Sequence, residues 1–332
     1  MKYKKFLKSL NPKDAIVYYN YDLAPHTSFK IGGKAKYFVI VKNEKTLKNL
    51  LSKCKKFFIL GGGTNTLLSF KYYSGTVIKL GGNFSRLYVG KNKLTAMAGA
   101  NLFSLCKLAK DNSLSGLEFL YGIPGTVGGA IFGNAGAFEE EILSRVTRVK
   151  VFKDGNFFWT KKFSSSHRNT SFKKDGSIIL GAQFSLSPGD KKEIEEKMKD
   201  LLARRKQTQP YGSFCAGSIF KRLKVDGLTI FPAKIIDNLG LKGVKIGGAK
   251  VSEKHAGFIV NFEKASATDV LRLIKKIKKI VYKTNKLKLE EEIIIFGGKR
   301  LDFSGRFPHS HTLQPRKGNN FRKCDFGKEK GP

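Results

Sequence analysis

Short runs of β-branched and aromatic residues alternate with turn residues over the first half of the chain. Runs of this kind, bounded by Gly, Pro, Asn or Asp, are typical of β-strands. The pattern predicts strands at 36–41, 57–60, 75–80, 93–100, 145–152 and 177–186. This part of the chain is therefore expected to be rich in sheet.

Helical spacing of apolar residues is sparser there, and segment 101–112, after Asn101, is the best candidate for a helix. The pattern changes near residue 189. Asp190 is a plausible N-cap, and the segment up to residue 207 carries apolar residues at Ile194, Met198, Leu201 and Leu202. We interpret 190–207 as a helix that links two domains.

The clearest helix of the chain is predicted over 267–286. Its lysines fall on one face, and the opposite face carries apolar residues at helical spacing, namely Val270, Leu271, Ile274, Ile277 and Val281. A strand is predicted at 291–297, which begins with the last two of three consecutive glutamates.

These elements suggest four segments. An N-terminal extension covers 1–17, a first domain covers 18–188, and the linker helix with a smaller α+β domain covers 189–298. The tail, 299–332, is basic, rich in Gly, Pro, Asn and His, and without periodicity, which predicts disorder.

The chain is strongly basic, with 63 Lys and Arg against 26 Asp and Glu and a net charge of +37. Such a charge attracts polyanions in general. The lysines are spread over the whole chain, however, and no known nucleic-acid-binding motif is present, so we favour a lysine-rich surface over specific nucleic-acid binding. No apolar run approaches the roughly 20 residues needed to cross a bilayer.

The cysteines, Cys54, Cys106, Cys215 and Cys324, lie far apart in sequence. They show neither CxxC nor zinc-like spacing, so we expect free thiols and no metal site. The basic start of the chain lacks the apolar core and cleavage site of a secretory signal. The sequence therefore predicts a cytoplasmic protein.

Two glycine-rich stretches interrupt this basic chain, "ILGGGTNTLL" at 59–68 and "GLEFLYGIPGTVGGAIFGNAGAF" at 116–138. Glycine allows positive φ and close backbone approach, and consecutive N–H groups form a concavity suited to phosphate oxygens. Neither stretch matches a dinucleotide fingerprint or a P-loop. Each is predicted to form a hairpin-like loop, and the alternatives are a diphosphate-binding pair of loops or tight turns between strands.

The second stretch resembles the "GLEFLxGIPGTVGGAxxxNAGA" segment of the UDP-N-acetylenolpyruvoylglucosamine reductases, the MurB family of flavoenzymes of bacterial cell-wall precursor synthesis. Further motifs similar to that family follow its order, "TSFKIGGKAKYFV" at 27–39, "LGGGTNTLL" at 60–68, "AGSIFKR" at 216–222, "AKIIDNLGLKGVKIGGAKVSEKHAGFIVN" at 233–261 and "LEEEIIIFG" at 289–297. The resemblance covers about 18–297 and is closest to the shorter second subtype.

The resemblance implies an α+β fold, in which a two-part FAD-binding domain of the PCMH/vanillyl-alcohol-oxidase type is followed by a smaller substrate-binding domain. It also implies non-covalent FAD, NADPH as reductant, a UDP-sugar enolpyruvyl ether as substrate and a monomeric enzyme. The residues expected at the cofactor are Gly61, Gly62, Gly63, Thr64, Asn65, Thr66, Gly122, Ile123, Pro124, Gly125, Thr126, Gly128, Gly129, Asn134 and Gly136.

The same resemblance assigns the chemistry. Flavin N5 delivers hydride to the alkene, Ser218 donates the proton, Glu292 is the catalytic glutamate, and Arg168 binds the substrate carboxylate and stabilises the enolate. From spacing alone, alternation along the predicted strand leaves Glu290 as a rival to Glu292. The expected substrate contacts are Lys221, Lys234, Asn238 and Asn261.

The chain departs from the family pattern near several of these residues. His167 and Thr170 replace a tyrosine and a serine beside Arg168, Ile294 stands where an arginine is frequent, and Arg222–Leu223 replaces Asn-Pro after Lys221. These departures leave an inactive relative open, and the fold and the charge leave open two further functions. They are another FAD-dependent oxidoreductase of the same fold and a basic nucleic-acid-binding protein, whose affinity would fall steeply with salt.

Overall fold

The structure is a computed structural model that describes residues 2–297. The α-helices of this part are α1 Lys2–Lys8, α2 Glu44–Lys53, α3 Leu102–Asp111, α4 Val127–Gly133, α5 Lys191–Thr208, α6 Pro232–Asn238 and α7 Ala267–Asn285. The strands are β1 Ala15–Asp22, β2 Lys34–Val41, β3 Phe57–Ile59, β4 Thr66–Leu68, β5 Tyr72–Leu80, β6 Leu87–Gly90, β7 Lys93–Met97, β8 Leu114–Ser115, β9 Gly136–Ala137, β10 Glu140–Glu141, β11 Val146–Lys153, β12 Asn156–Thr160, β13 Ser165–Ser166, β14 Asn169–Thr170, β15 Ile178–Ser185, β16 Ser187–Pro188, β17 Cys215–Ser218, β18 Leu223–Val225, β19 Leu228–Ile230, β20 Lys245–Ile246, β21 Ala249–Val251, β22 Phe258–Asn261 and β23 Ile294–Phe296.

The first sheet has the strand order β1-β2-β5-β3, in which β2, β5 and β3 run parallel and β1 is antiparallel. Parallel strands need a crossover, and α2 supplies it between β2 and β3. Asn43 caps that helix by accepting a hydrogen bond from the N–H of Thr46. Helix α1 packs on the same unit through the buried Leu7, so part of the expected N-terminal extension belongs to this core.

The second sheet is antiparallel, with the order β12-β11-β15-β7-β6. Helix α4 packs on it, and its buried side chains join those of α3 and of the first sheet in one large apolar core. The two sheets together therefore form a unit of two parts that spans the first 190 residues.

A third sheet, β17-β22-β21-β20, packs against α6 and α7 and has an apolar core of its own. Helix α7 begins with a capping box made by Ser266 and Asp269. Phe29, Ile31 and Leu67 from the N-terminal unit enter this core. The last described strand, β23, runs parallel to β4 of the N-terminal unit, so the chain returns to its first half.

The strands predicted from hydrophobic patterning are confirmed, with ends shifted by a few residues, and so are the helices at 101–112, 190–207 and 267–286. Helices α1, α2, α4 and α6 were not predicted. The predicted strand at 291–297 begins only at Ile294, so the three glutamates precede it. The predicted tail, 299–332, lies outside the described residues.

The sequence predicts neither a membrane-spanning segment nor a metal site, and residues 2–297 can be compared with both expectations. None of its helices has the length and apolar character needed to cross a bilayer. Its cysteines, Cys54, Cys106 and Cys215, are free, and no cluster of metal-ligating side chains occurs between residues 2 and 297.

Candidate active site

The two glycine-rich stretches lie against each other. The hydroxyl of Thr64 donates to the carbonyl of Pro124 at 3.0 Å, and a Cβ placed on Gly62 would lie 2.9 Å from Cα of Gly125. Since ordinary carbon contacts are about 3.5 Å or longer, glycine is required for this approach. The stretches, sixty residues apart in sequence, therefore form one surface.

Neither stretch is the predicted hairpin loop, and that expectation was wrong. The first stretch crosses between sheets, because β3 belongs to the first sheet whereas β4 pairs with β23. The second passes from a 3-10 turn at Glu118–Leu120 into helix α4, which Thr126 caps. The glycine-rich stretches serve close packing and helix entry rather than strand reversal.

Main-chain N–H groups of this surface are free to bind a ligand. Within residues 2–297, the N–H groups of 61–65 and of Gly125 and Thr126 donate to no oxygen of the protein. Such consecutive donors form a concavity that favours phosphate oxygens. The arrangement fits a diphosphate held by backbone amides.

The motif at 27–33 packs behind the first stretch. Gly63 has φ +63°, a Cβ there would collide with the carbonyl of His26, and the N–H of Ser28 donates to the carbonyl of Gly63 at 3.0 Å. Only glycine combines this dihedral angle with this proximity at low cost. The three glycine-containing motifs thus converge on one place.

The end of the second stretch contacts a cation instead of presenting donors. Nη1 and Nη2 of Arg168 donate to the carbonyls of Asn134 and Gly136 at 3.2 and 2.8 Å. Asn134 is buried at the C-terminus of α4 with φ +45°, and its amide nitrogen donates to Glu141 and to the carbonyl of Ser166. Both amide protons of Asn134 are therefore used within the protein, and its predicted cofactor contact stays a prediction.

Arg168 forms an ion pair with Glu292. Nε lies 2.8 Å from Oε1 of Glu292, although the N–H bond is not directed at that oxygen. Arg168 has φ +56° in the turn between β13 and β14 and is 23% exposed, and Glu292 is 17% exposed. The fold thus brings together a guanidinium from the middle of the chain and a carboxylate near the end of its described part.

The main chain next to Ser218 is hydrogen-bonded to the main chain of Glu292. The N–H of Glu292 donates to the carbonyl of Ile219 at 2.7 Å, next to Ser218 at the end of β17. The Ser218 hydroxyl has only a long contact of 3.5 Å with the carbonyl of Phe220. Such a weakly held hydroxyl can turn toward a substrate at little cost.

The first glycine stretch also reaches Glu292. The side-chain amide of Asn65 donates to the carbonyl of Glu292 at 3.4 Å, and the N–H of Ile294 donates to the carbonyl of Asn65 at 2.9 Å. The free N–H groups and the predicted catalytic side chains therefore border one site.

The three glutamates before β23 have different partners. Glu290 is 72% exposed and pairs with Lys221 at 3.2 Å, whereas Glu291 pairs with Lys278 at 2.8 Å. Only Glu292 contacts Arg168. The geometry therefore favours Glu292 over Glu290 as the catalytic glutamate. The strand alternation that made them rivals does not apply, because both residues precede β23.

The predicted substrate contacts are placed less closely together. Lys234 and Asn238 are exposed and one turn apart on α6. Asn261 is engaged within the protein, because its amide nitrogen donates to the carbonyl of Phe29 at 2.8 Å and its oxygen accepts from the N–H of Ala265 at 2.7 Å. Asn261 thereby joins the third sheet to the motif at 27–33.

Sequence reasoning missed two cations near the site, Lys173 and Arg205. Arg205 of α5 is 9% exposed, its Nε has no partner among the described residues, and its Cδ would lie 3.4 Å from a Cβ on Gly122. Burial, and next the charge of Arg168, lower the pKa of Arg205. A signal existed, because Arg205 continues the apolar spacing of Ile194 and Met198 along the helix.

Comparisons with known proteins agree with this site. The protein-family model described as FAD binding domain matches residues 35–160. The model described as UDP-N-acetylenolpyruvoylglucosamine reductase, C-terminal domain, matches residues 209–296. The first match contains both glycine-rich stretches, and the second contains Ser218 and Glu292.

Similar whole proteins carry the same description. The chain is 40% identical to the UDP-N-acetylenolpyruvoylglucosamine reductase of Caldanaerobacter subterraneus subsp. tengcongensis, covering 86% of this chain and 96% of the relative. It is 41% identical to that of Pseudothermotoga lettingae, covering 82% and 94%. Among solved structures, the reductase (MurB) from Thermus caldophilus matches with a TM-score of 0.74 and 31% identity, covering 85% of this chain and 99% of the other.

Proposed function

Because the chain belongs to the family of UDP-N-acetylenolpyruvoylglucosamine reductases, we propose that it reduces the enolpyruvyl ether of its UDP-sugar substrate to UDP-N-acetylmuramate, in peptidoglycan precursor synthesis. It is an FAD-dependent oxidoreductase, and NADPH supplies the electrons. The observation that carries the proposal is the meeting of free backbone donors with Arg168, Glu292 and Ser218 at one site.

The glycine-rich surface fits FAD. The N–H groups of 61–65, Gly125 and Thr126 would hold the diphosphate, and neither stretch contains a lysine that could do so instead. When bound, FAD would supply hydride-transfer chemistry at this surface, with NADPH as the source of electrons. Gly61–Gly63 and Gly125 let the main chain approach the cofactor without an intervening Cβ.

Arg168 is proposed to bind the substrate carboxylate and to stabilise the enolate. Its guanidinium has five N–H donors, and the carbonyls of Asn134 and Gly136 use only two of them. Those two bonds hold the guanidinium plane, so the remaining donors are oriented before the substrate arrives. Glu292 contacts Nε and fixes the same side chain from another direction.

Ser218 is proposed to donate the proton to the substrate carbon. A serine hydroxyl is a weak acid, so the transfer requires nearby positive charge to stabilise the oxygen that loses the proton. In support, the N–H of Glu292 donates to the carbonyl of Ile219, the neighbour of Ser218, and the guanidinium that pairs with Glu292 would supply such charge. Lys221, Lys234 and Asn238 remain the proposed contacts for the UDP part of the substrate.

Anaerobic stopped-flow absorbance tests these roles separately. We expect Ser218→Ala to leave reduction of the flavin by NADPH nearly normal, and to abolish its reoxidation by the enolpyruvyl UDP-sugar. Ser52→Ala, at an exposed position of α2, is the control and should behave as the wild type in both phases. Slow flavin reduction with normal reoxidation in Ser218→Ala would refute the assignment.

We further propose that the enzyme works as a monomer in the cytoplasm, where NADPH and UDP-sugars are available, and that its charge serves no specific nucleic acid. The free thiols of the described cysteines suit a reducing compartment. A cheap first test is the colour of the purified protein. A colourless protein whose affinity for nucleic acid falls steeply with salt would favour the nucleic-acid-binding alternative.

A further inference from the structure

Lys173 contacts Arg168, the residue that pairs with Glu292. It ends the 3-10 turn Ser171–Lys173, and its Nζ donates to the carbonyl oxygen of Arg168 at 2.7 Å. The same ammonium lies 5.7 Å from the centre of the Phe132 ring. Lys173 therefore contacts the main chain of Arg168, whereas Asn134, Gly136 and Glu292 contact its side chain.

The main chain of Arg168 needs such a contact. Its φ of +56° lies in the left-handed region, which disfavours residues with a Cβ. The turn that holds it is short, because Ser166 pairs with Asn169 on either side. Among the described residues, Lys173 is the only donor to the carbonyl of Arg168.

Lys173 also adds positive charge to the site. Burial lowers the pKa of Lys173, and the neighbouring charges of Lys221 and Arg168 act in the same direction, against Glu292. Lys173 lies on the carbonyl of Arg168 and Glu292 on its guanidinium, so two cations accompany one carboxylate. The excess of positive charge favours an incoming anion, in particular the carboxylate of the proposed substrate.

We propose that Lys173 is a positioning residue for Arg168, which fixes the left-handed turn so that the guanidinium presents its remaining donors to the substrate carboxylate. The inference rests on the proposed function. On this proposal, Lys173 affects the binding only of ligands that carry this carboxylate. A residue with a merely structural role would affect all ligands of the site alike.

The test compares two UDP-sugars on the oxidised holoenzyme by isothermal titration calorimetry. UDP-N-acetylmuramate carries the carboxylate, and UDP-N-acetylglucosamine lacks it. We expect Lys173→Met to weaken binding of the first by about tenfold, as for the loss of one interaction with a charged group, and of the second by less than about twofold. Lys173→Arg, which keeps the charge and the donor, should restore most of the affinity.

Lys174→Met is the matched control, because it removes the same charge from the exposed neighbouring residue. It should change neither affinity. In the stopped-flow assay, Lys173→Met should slow reoxidation by the enolpyruvyl UDP-sugar and leave reduction by NADPH unchanged. If Lys173→Met does not retain FAD, the comparison is made with Lys173→Gln, whose polar side chain suits the half-buried position.

Equal weakening of both UDP-sugars by Lys173→Met, or no weakening of either, would overturn the inference. A Lys173→Arg variant that binds UDP-N-acetylmuramate as weakly as Lys173→Met would also overturn it. Failure of the proposed function is a separate outcome, since the wild-type holoenzyme would then not be reoxidised by the enolpyruvyl UDP-sugar at all.

Discussion

A single methyl group on Gly62 tests whether the two glycine-rich stretches act as one cofactor-binding surface. The ideal Cβ of Gly62→Ala lies 2.9 Å from Cα of Gly125 and 3.4 Å from Cγ2 of Thr64. Since carbon atoms prefer about 3.5 Å or more, the facing stretches must move apart by roughly 0.6 Å at the tighter contact. Gly62 does not have positive φ, so the perturbation is steric and not a matter of backbone preference.

Overpacking of this kind costs about 1–3 kcal/mol. Free stretches can relax by separating, whereas stretches that hold FAD must keep their N–H groups on the diphosphate. We therefore expect most of the cost in the bound state. A cost of about 2 kcal/mol corresponds to a rise of about 30-fold in the Kd for FAD.

The assay is titration of the apoprotein with FAD, followed by quenching of flavin fluorescence, together with the Tm of the apoprotein. Gly133→Ala is the control, because a Cβ on Gly133, at the end of α4, meets no atom within 4 Å. It should bind FAD as the wild type does. If Gly62→Ala also binds FAD with wild-type affinity, or loses stability without losing affinity, the stretches do not form the cofactor surface.

Two further predictions concern stability and the tail. Burial lowers the pKa of His255, and its Nδ1 accepts the N–H of Gly257 at 3.1 Å, so the unfolded chain takes up the proton first as the pH falls through about 6.5. Urea titrations should show that lowering the pH from 7 to 5 reduces the free energy of unfolding more for the wild type than for His255→Asn, and an equal reduction would exclude His255 as the cause. Removal of residues 299–332 should leave FAD content and turnover unchanged, because the matched reductase domain ends at residue 296, and loss of FAD from the truncated protein would contradict this.

The sequence predicts elements whose pattern is local. Helix α7 follows from the spacing of Val270, Ile274, Ile277 and Val281, all of which are buried. Helix α2 carried the same kind of signal, an Asn43 cap with Leu47 and Leu50 behind it, and was overlooked within a strand-rich region. Helix α4 could not be predicted this way, because its glycines disfavour a helix in isolation and only the burial of Val127, Ala130 and Ile131 stabilises it.

The candidate site depends on contacts that no local pattern contains. The family resemblance singles out Arg168, but its ion pair with Glu292 arises only because β23, late in the chain, pairs with β4 in its first half. Lys173 carried no signal that separates it from the many other lysines of the sequence. Its role is visible only through the carbonyl of Arg168, whose left-handed turn the sequence gives no reason to expect at a non-glycine residue.

The absence of lysine and arginine from the second glycine-rich stretch has a physical reason in this arrangement. Its main chain offers both kinds of polar group, free N–H donors at Gly125 and Thr126 and carbonyl acceptors at Asn134 and Gly136 that hold Arg168. A lysine within the stretch would compete with Arg168 for those carbonyls and would offer a mobile charge to the phosphates. The chain has a net charge of +37, so additional side-chain cations would attract anions without distinguishing these two places. Main-chain groups held by glycine-dependent packing instead present donors at one place and acceptors at the other.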